Sequence, residues 1–179
     1  MKRLMLLISL ILLIGCAPKN SYIIPTFPTN SIAKRDIQIG VKKIEVPDYL
    51  MSDKILIRDG NKLKELDASF ATSIDSLLTS NAIKELKALL NDPNVVLYPW
   101  EAKSKRGYII EIVIDDYIYY NGSVHLSGSY YIKDAKGNLI SSKNFNLSNS
   151  SKENADAIVE TLGVLFDRLI KEIAQTIAT

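Results

Sequence analysis

Few residues of this chain could take part in chemistry. His125 is the single histidine, and strand alternation puts it on the face opposite Val124 and Leu126, so we expect a solvated strand residue rather than a catalyst or ligand. The sequence has no Cys/His cluster with metal-ligand spacing, and its glycines occur singly, without a phosphate-binding loop. It therefore predicts no catalytic residue, no metal site and no cofactor.

Asp115 and Asp116 are adjacent carboxylates that could act as an acid and base or bind a cation. Neighbouring strand residues point to opposite faces unless a β-bulge intervenes, and a bulge would place both at the solvent side. We therefore expect a structural role for this pair.

Cys16 has the clearest chemical context. Lys2 and Arg3 precede an apolar run at 4–14, and the sequence LLIGC follows at once. The run of 11 residues is too short to cross a hydrocarbon layer of ~30 Å stably, which favours an export signal over a permanent transmembrane helix. We expect residues 1–15 to be a lipoprotein signal peptide and Cys16 to be lipidated; the alternative is a signal, cleaved or not, with an incidental cysteine.

Lipidation would place the domain close to a membrane. Residues 16–21 would form the lipidated cysteine and a short tether, and the two or three acyl (palmitate-type) chains of a mature lipoprotein would hold it permanently. Ala17, rather than Asp, follows the cysteine, which by the enterobacterial sorting rule favours the outer membrane. Because Cys16 is the single cysteine, its acylation would leave no thiol for a disulfide or a nucleophile.

The charge of the chain argues against nucleic-acid binding. The formal net charge is +2, but without residues 1–15, which hold Lys2 and Arg3, the chain has 20 basic and 20 acidic residues. A nucleic-acid binder needs a basic patch or stripe. Residues 22–179 are enough for one domain with a sizeable core, and not for two.

Hydrophobic periodicity predicts strands alternating with two helices. Apolar residues at spacings of three and four predict a first helix within 67–90, and a second stripe runs from Ala155 to Ile177. The predicted strands are 22–24, 36–46 ending at Pro47, 55–58 before an Asp-Gly turn, 95–98, a long hairpin within 108–133, and one ending near 147. This order predicts a single α+β domain with a mixed, mostly antiparallel sheet and two amphipathic helices on one face.

The long hairpin has a testable register. Asn121-Gly122 is the pair that a type I′ turn requires. Pairing outward from that turn moves Ile114 and the isoleucines before it to the wrong face unless one residue is extra. We therefore predict a β-bulge at Asp115-Asp116 that matches Ile114 to Gly128.

The second helix has a predicted start and solvent face. Residues 150–153, Ser-Ser-Lys-Glu, fit a capping box. The residues expected towards water are Asp156, Glu160, Asp167 and Lys171. The tyrosines crowded on the hairpin are expected to be cross-strand packing pairs, with a partner surface or an apolar groove as the alternative.

Taken together, the motifs resemble those of the PqiC/YmbA-like family of ABC-type transport auxiliary lipoproteins. The resemblance covers nearly all of the mature chain and rests on the order of its parts. These are the lipobox at Cys16, Tyr22, Pro-Asp-Tyr-Leu at 47–50, Arg58, the helix within 70–90, Tyr-Pro-Trp at 98–100, the hairpin and the last helix. The family often has Trp-Ala where this chain has Phe70-Ala71, so an aromatic side chain is kept but an indole N–H is not.

The resemblance implies a non-catalytic periplasmic lipoprotein at the outer membrane that works beside an MCE-domain protein in envelope lipid transport. The implied partners are that protein, the outer membrane, phospholipid and further copies of the chain. Docking is the expected role, and a periplasmic lipid-binding shuttle or chaperone is the alternative. The partner-binding candidates are Pro47, Tyr49, Leu50, Arg58, Tyr98 and Trp100.

Arg58 raises a specific question. It ends a short predicted strand, and a strand edge could pair with another subunit. Its guanidinium needs a carboxylate, either within the domain, which we favour, or across an interface.

Overall fold

A computed structural model describes residues 20–27, 30–32, 37–92, 94–100 and 107–178. Cys16 and the predicted signal peptide lie outside these residues. The strands are β1 (Ser21–Tyr22), β2 (Gln38–Val41), β3 (Lys54–Asp59), β4 (Lys62–Phe70), β5 (Val95–Leu97), β6 (Gly107–Tyr120), β7 (Ser123–Asp134) and β8 (Leu139–Ser150). The helices are α1 (Ile74–Leu90), α2 (Ala155–Ala178) and a single 3-10 turn at Asp48–Leu50.

The eight strands form one mixed sheet built around β6. Along one edge of β6 lies β7, followed by β8, both antiparallel. Along the other edge, β2 pairs in parallel with the first part of β6 and β3 with its last part. Strand β5 extends the sheet beyond β2, and β4 and β1 extend it beyond β3. The predicted α+β domain with a mixed sheet is confirmed.

The core lies between the two α-helices and one face of the sheet. Alternate residues of β6 and β7 point into it, and the helices contribute fully buried side chains such as Leu78, Leu86, Leu162 and Phe166. Burying an aliphatic or aromatic side chain stabilises a fold by about 1.5–3 kcal/mol. One continuous cluster of this kind can hold the domain together without a disulfide. Among the described residues, no helix has the length and apolar character that spanning a bilayer requires.

The hairpin register is confirmed. Asn121 and Gly122 both have positive φ, 48° and 76°, as a type I′ turn requires. Ile114 lies opposite Gly128, and the register shifts between Ile114 and Asp116, where the bulge was predicted.

The start of the first helix was predicted wrongly. Residues 67–70 belong to β4, because Ser69 pairs with Lys54 of β3 on one side and with Ser21 of β1 on the other. Helix α1 begins at Ile74 and continues unbroken to Leu90. The strand was missed because its first half is charged and exposed, which hides the alternation.

Other boundaries also differ from the predictions. The first strand is Ser21–Tyr22, and the strand predicted over 36–46 is Gln38–Val41 followed by a single bridge at Glu45. Helix α2 is capped by Asn154, whose Oδ1 accepts the backbone N–H of Ala157 at 2.9 Å, so the capping box at 150–153 was wrong.

Asp167 was expected towards water but is 7 % exposed, between α2 and α1. Its carboxylate accepts a hydrogen bond from Lys171 at 2.7 Å. Across the helix interface, Glu85 is 6 % exposed, and neither of its carboxylate oxygens has a hydrogen-bond partner in the described part of the chain. Burial and the nearby Asp167 raise the pKa of Glu85 to about 7.

This carboxyl predicts an unusual pH dependence. Because the pKa of Glu85 is higher in the folded than in the unfolded state, protonation of this carboxyl stabilises the fold. This stabilisation is fully present below pH ~4.5 and is lost as the pH rises through about 7. Replacing Glu85 by Gln should therefore raise the free energy of unfolding by roughly 1–3 kcal/mol at pH 8, and by less than ~1 kcal/mol at pH 5. Urea denaturation at both pH values measures this, with Glu160→Gln on the exposed face of α2 as control. An equal effect of Glu85→Gln at both pH values would contradict it.

Candidate functional site

The bulge in β6 turns one carboxylate out of the core. Ile114 points towards the helices, and in a regular strand Asp116, two residues later, would point the same way. The extra residue reverses the alternation, so Tyr117 is buried and Asp116 lies opposite Ser127 on the outer face, away from the helices. The bulge therefore creates an acceptor on that face.

Two residues of the 46–63 stretch converge on this acceptor. The Tyr49 hydroxyl donates a hydrogen bond to Oδ1 of Asp116 at 2.6 Å, and Nη2 of Arg58 donates to Oδ2 at 3.0 Å. The 3-10 turn at Asp48–Leu50 positions the tyrosine, and the Asp59-Gly60 turn fixes the end of β3 that carries the arginine. Arg58 thus has a partner within the domain, the alternative that we favoured.

The Tyr49 hydroxyl stays protonated near neutral pH. Burial, together with the hydrogen bond to Asp116, raises the pKa of the Tyr49 hydroxyl, so this group remains a donor. The ring of Tyr120 lies 5.9 Å from the guanidinium carbon of Arg58, which is within cation–π range.

The cluster forms part of a surface pocket of about 450 Å³. We call it the Arg58 pocket; its lining residues are Tyr49, Arg58, Gly60, Asn61, Lys62, Leu63 and Tyr120. The side chain of Arg58 is 37 % exposed and Tyr49 is 36 % exposed, so both are held by Asp116 and still face solvent. A fixed cation beside aromatic and aliphatic surface is suited to binding.

Removing the Tyr49 hydroxyl tests whether the cluster is formed. We expect Tyr49→Phe to lower the free energy of unfolding by about 1 kcal/mol, because Asp116 loses one donor while the ring and the Arg58 contact remain. Urea denaturation of the purified protein measures this change. The control is Tyr131→Phe, on the hairpin and outside the cluster, whose hydroxyl accepts a longer hydrogen bond of 3.3 Å from Ser129. An unchanged urea midpoint for Tyr49→Phe would mean that the Tyr49 hydrogen bond contributes nothing.

Tyr98 and Trp100 form a separate packing unit. Their rings meet edge to face with centroids 5.1 Å apart, and Lys42 lies 5.7 Å from the centre of the Tyr98 ring. The indole covers Gly40, where an added Cβ would come within 1.4 Å of the ring, so the glycine makes room for it. The Trp100 Nε1 is buried and has no acceptor among the described residues.

The structure does not bring the two groups of candidate residues together. Gly40 lies opposite Ile109 near the start of β6, whereas Ile57, which precedes Arg58, pairs with Tyr119 near its end. Ten residues of strand separate these positions, which is about 30 Å. The two groups therefore lie beside opposite ends of β6.

The remaining candidates are structural in position. Leu50 is 4 % exposed and belongs to the core, and the carbonyl of Pro47 accepts the N–H of Leu50 at 2.8 Å. Of the hairpin tyrosines, Tyr117, Tyr119 and Tyr130 are buried, whereas Tyr120 lines the Arg58 pocket.

The described residues assemble no metal site. His125 is half-buried, 6.5 Å from the Tyr120 ring, and no group of three or more His, Cys, Asp or Glu residues in the described part could hold a metal ion. Asp116, one of the two adjacent carboxylates, is the acceptor that joins Tyr49 to Arg58. Its partners could not be found by spacing, because 58 positions separate it from Arg58.

Lys62 and Leu63 are pocket residues that sequence reasoning missed. The signal available was the Asp59-Gly60 turn, which predicts a hairpin and hence a second strand directly after it. Recognising that strand would have placed Leu63 opposite Arg58, as the structure does.

Solved structures share this fold. A crystal structure described as an uncharacterized protein matches with a TM-score of 0.74 at 21 % identity, covering 90 % of this chain and 99 % of that one. A protein from Xanthomonas campestris matches with a TM-score of 0.76 at 14 % identity, over 89 % and 95 % of the two chains. A PelC dodecamer from Paraburkholderia phytofirmans matches with a TM-score of 0.50 at 15 % identity, over 84 % and 94 %. At these identities the likeness shows the fold alone.

Comparison of the sequence gives the family. No curated protein matches it. The model of the ABC-type transport auxiliary lipoprotein component matches residues 24–174, which include both α-helices almost entirely and every strand from β2 to β8. The family description is that of a transport component and not of an enzyme. The chain therefore belongs to the ABC-type transport auxiliary lipoprotein component family.

Proposed function

We propose that this protein is a non-catalytic periplasmic subunit of an ABC/MCE-type envelope phospholipid-transport system. Acyl chains on Cys16 hold it at the outer membrane, and its folded domain docks an MCE-domain protein. The observation that carries the docking role is the Arg58 pocket, where Asp116 fixes a tyrosine and an arginine that remain accessible. Tyrosine and arginine are the residues enriched where interfaces gain most of their binding energy.

The alternative of a lipid-binding shuttle needs an apolar cavity between the helices and the sheet. In the described residues that space is filled by the continuous core, in which Tyr130, Phe166 and Leu86 are almost completely buried. The Arg58 pocket, in contrast, lies on the outer face and is lined partly by charged and amide side chains. These features favour docking over lipid carriage.

Assembly into a homo-oligomer is part of the same proposal. The PelC neighbour, which shares the fold, was solved as a dodecamer. A ring of copies would present the same pocket several times to one partner, which increases avidity when the spacing fits.

Co-purification tests the proposal. The tagged full-length protein is extracted in mild detergent after gentle crosslinking, and captured proteins are identified by mass spectrometry. We expect an MCE-domain protein with the wild type, and repeated failure to capture one would overturn the proposal. Bound phospholipid in native mass spectra, without such a protein, would support the shuttle instead.

An Arg58→Ala variant links the capture to the pocket. We expect it to remain folded, because a half-exposed ion pair contributes about 1 kcal/mol or less, and to lose most of the captured protein. Lys136→Ala, in the turn between β7 and β8, is the matched control and should capture as well as the wild type. A folded Arg58→Ala protein with undiminished capture would remove the pocket from the proposal.

A further inference from the structure

Strand β4 leaves an open edge beside the Arg58 pocket. β1 is two residues long and covers β4 at Ser69 and Phe70. Residues 62–65 pair with β3 on one side and, among the described residues, have no strand on the other. Such an edge presents unpaired N–H and C=O groups that an extended segment can bind.

The edge and the pocket are continuous. Lys62 and Leu63 are the first two residues of β4 after the turn, and both line the pocket. Leu63 lies directly opposite Arg58, so both side chains are on the outer face, and Leu63 is 46 % exposed. A strand added to β4 would therefore pass beside the pocket.

The charges at this end of the sheet are unbalanced. Asp116 neutralises Arg58, and Asp59 pairs with Lys64. Lys62 is exposed and makes no ion pair with any residue that the structure describes, which leaves one uncompensated positive charge among the residues that line the pocket. Further along the edge, Lys54 pairs with Glu65 at 3.5 Å, and Asp67 is exposed, so the surface is positive at the turn and turns negative only at Asp67.

We infer that the Arg58 pocket and the open edge of β4 together bind an extended acidic segment of a partner protein. This rests on the proposed docking function and specifies the partner's chemistry. The segment's backbone pairs with β4, a carboxylate lies near Lys62 and Arg58, and an apolar side chain contacts Leu63 and Tyr49. A lipid headgroup could supply the anion but not the strand, and the open edge therefore favours a polypeptide.

Peptide binding tests the inference. The full-length protein is reconstituted in phosphatidylcholine nanodiscs and titrated with a fluorescent octapeptide of alternating Val and Ser that carries two Glu residues at one end. The control peptide has Lys in place of Glu. We expect the Glu peptide to bind at least about tenfold more tightly, and its binding to slow amide hydrogen exchange at residues 63–65. Equal affinity for both peptides, or no slowing at β4, would overturn the inference.

A charge-reversal variant keeps the test independent of folding. Lys62→Glu changes an exposed residue without removing an ion pair in the described part of the chain, so the fold should be kept. The variant should bind the Glu peptide about tenfold or more weakly than the wild type does. Lys136→Glu, in the turn at the far end of β7, should not. If both variants bind the Glu peptide like the wild type, the inference is wrong. If phosphatidylglycerol in the nanodisc slowed amide hydrogen exchange at the pocket without peptide, the inference would also be overturned, in favour of a lipid headgroup.

The outcome is separable from that of the proposed function. If an MCE-domain protein co-purifies equally with wild type and Lys62→Glu, the partner docks elsewhere; the inference fails and the proposed function stands. If the Glu peptide binds and protects β4 but no MCE-domain protein is captured, the acidic-segment site stands and the assignment of the partner fails.

Discussion

Replacing Gly128 by Ala is expected to destabilise the domain by about 3 kcal/mol. Gly128 lies across the hairpin from Ile114, at the bulge, and an added Cβ would come within 2.0 Å of the backbone oxygen of Val113. The ring of Phe145 closes the other side at 2.9 Å. Because the nearest atom belongs to the backbone of a central strand, the clash cannot be relieved by a rotamer change.

The effect should extend to the pocket. The same bulge carries Asp116 to the outer face, so a shift of the bulge should weaken the hydrogen bonds that Tyr49 and Arg58 donate to Asp116. Urea or thermal denaturation of the purified variant measures the loss, and failure to accumulate folded protein would agree with it. Ser127→Ala, next to Gly128 on the outer face, is the control. If the free energy of unfolding of Gly128→Ala were less than ~1 kcal/mol below that of the wild type, the bulge would tolerate a side chain.

Replacing Cys16 by Ser is expected to release the protein from the membrane. Two or three acyl chains, each burying many CH2 groups at ~0.8 kcal/mol per group, hold a mature lipoprotein essentially permanently, and serine cannot receive them. Cell fractionation should find the wild type in the outer-membrane fraction and the variant outside it or as an unprocessed precursor. The intact mass of the wild type should also show cleavage before Cys16 and added acyl groups.

Two results would contradict the anchoring proposal. A wild-type protein whose mass shows an unmodified Cys16 would support the incidental cysteine. A processed Cys16→Ser protein that still fractionates with the outer membrane would show that the folded domain itself binds the membrane surface. Ala17→Ser keeps a residue other than Asp after the cysteine and should behave as wild type.

Local patterns predicted the hairpin well because its determinants are local. A type I′ turn requires positive φ at two residues, and Asn121-Gly122 supplies both. Once the turn is placed, a strand period of two leaves one position for the extra residue, and the structure has its bulge there.

The features that sequence reasoning missed depend on contacts between distant parts of the chain. The end of β4, at Ser69 and Phe70, pairs with β1, which lies almost 50 positions earlier in the chain. Asp167 looked like a solvent-facing residue of an amphipathic helix, yet it is 7 % exposed and lies near Glu85 of α1. The candidate site was predicted in part: Tyr49 and Arg58 were named, but Asp116, which joins them, follows from the register of two strands.

The docking proposal is tested most directly by crosslinking from the pocket in living cells. A photo-reactive amino acid at Asn61, an exposed residue of the Arg58 pocket, would report what lies against this surface. The matched control carries it at Lys136, at the far end of the hairpin. We predict a light-dependent adduct with an MCE-domain protein from Asn61 and none from Lys136. A protein that is folded and in the membrane, yet forms no such adduct from Asn61 or forms it equally from Lys136, would contradict docking through the Arg58 pocket.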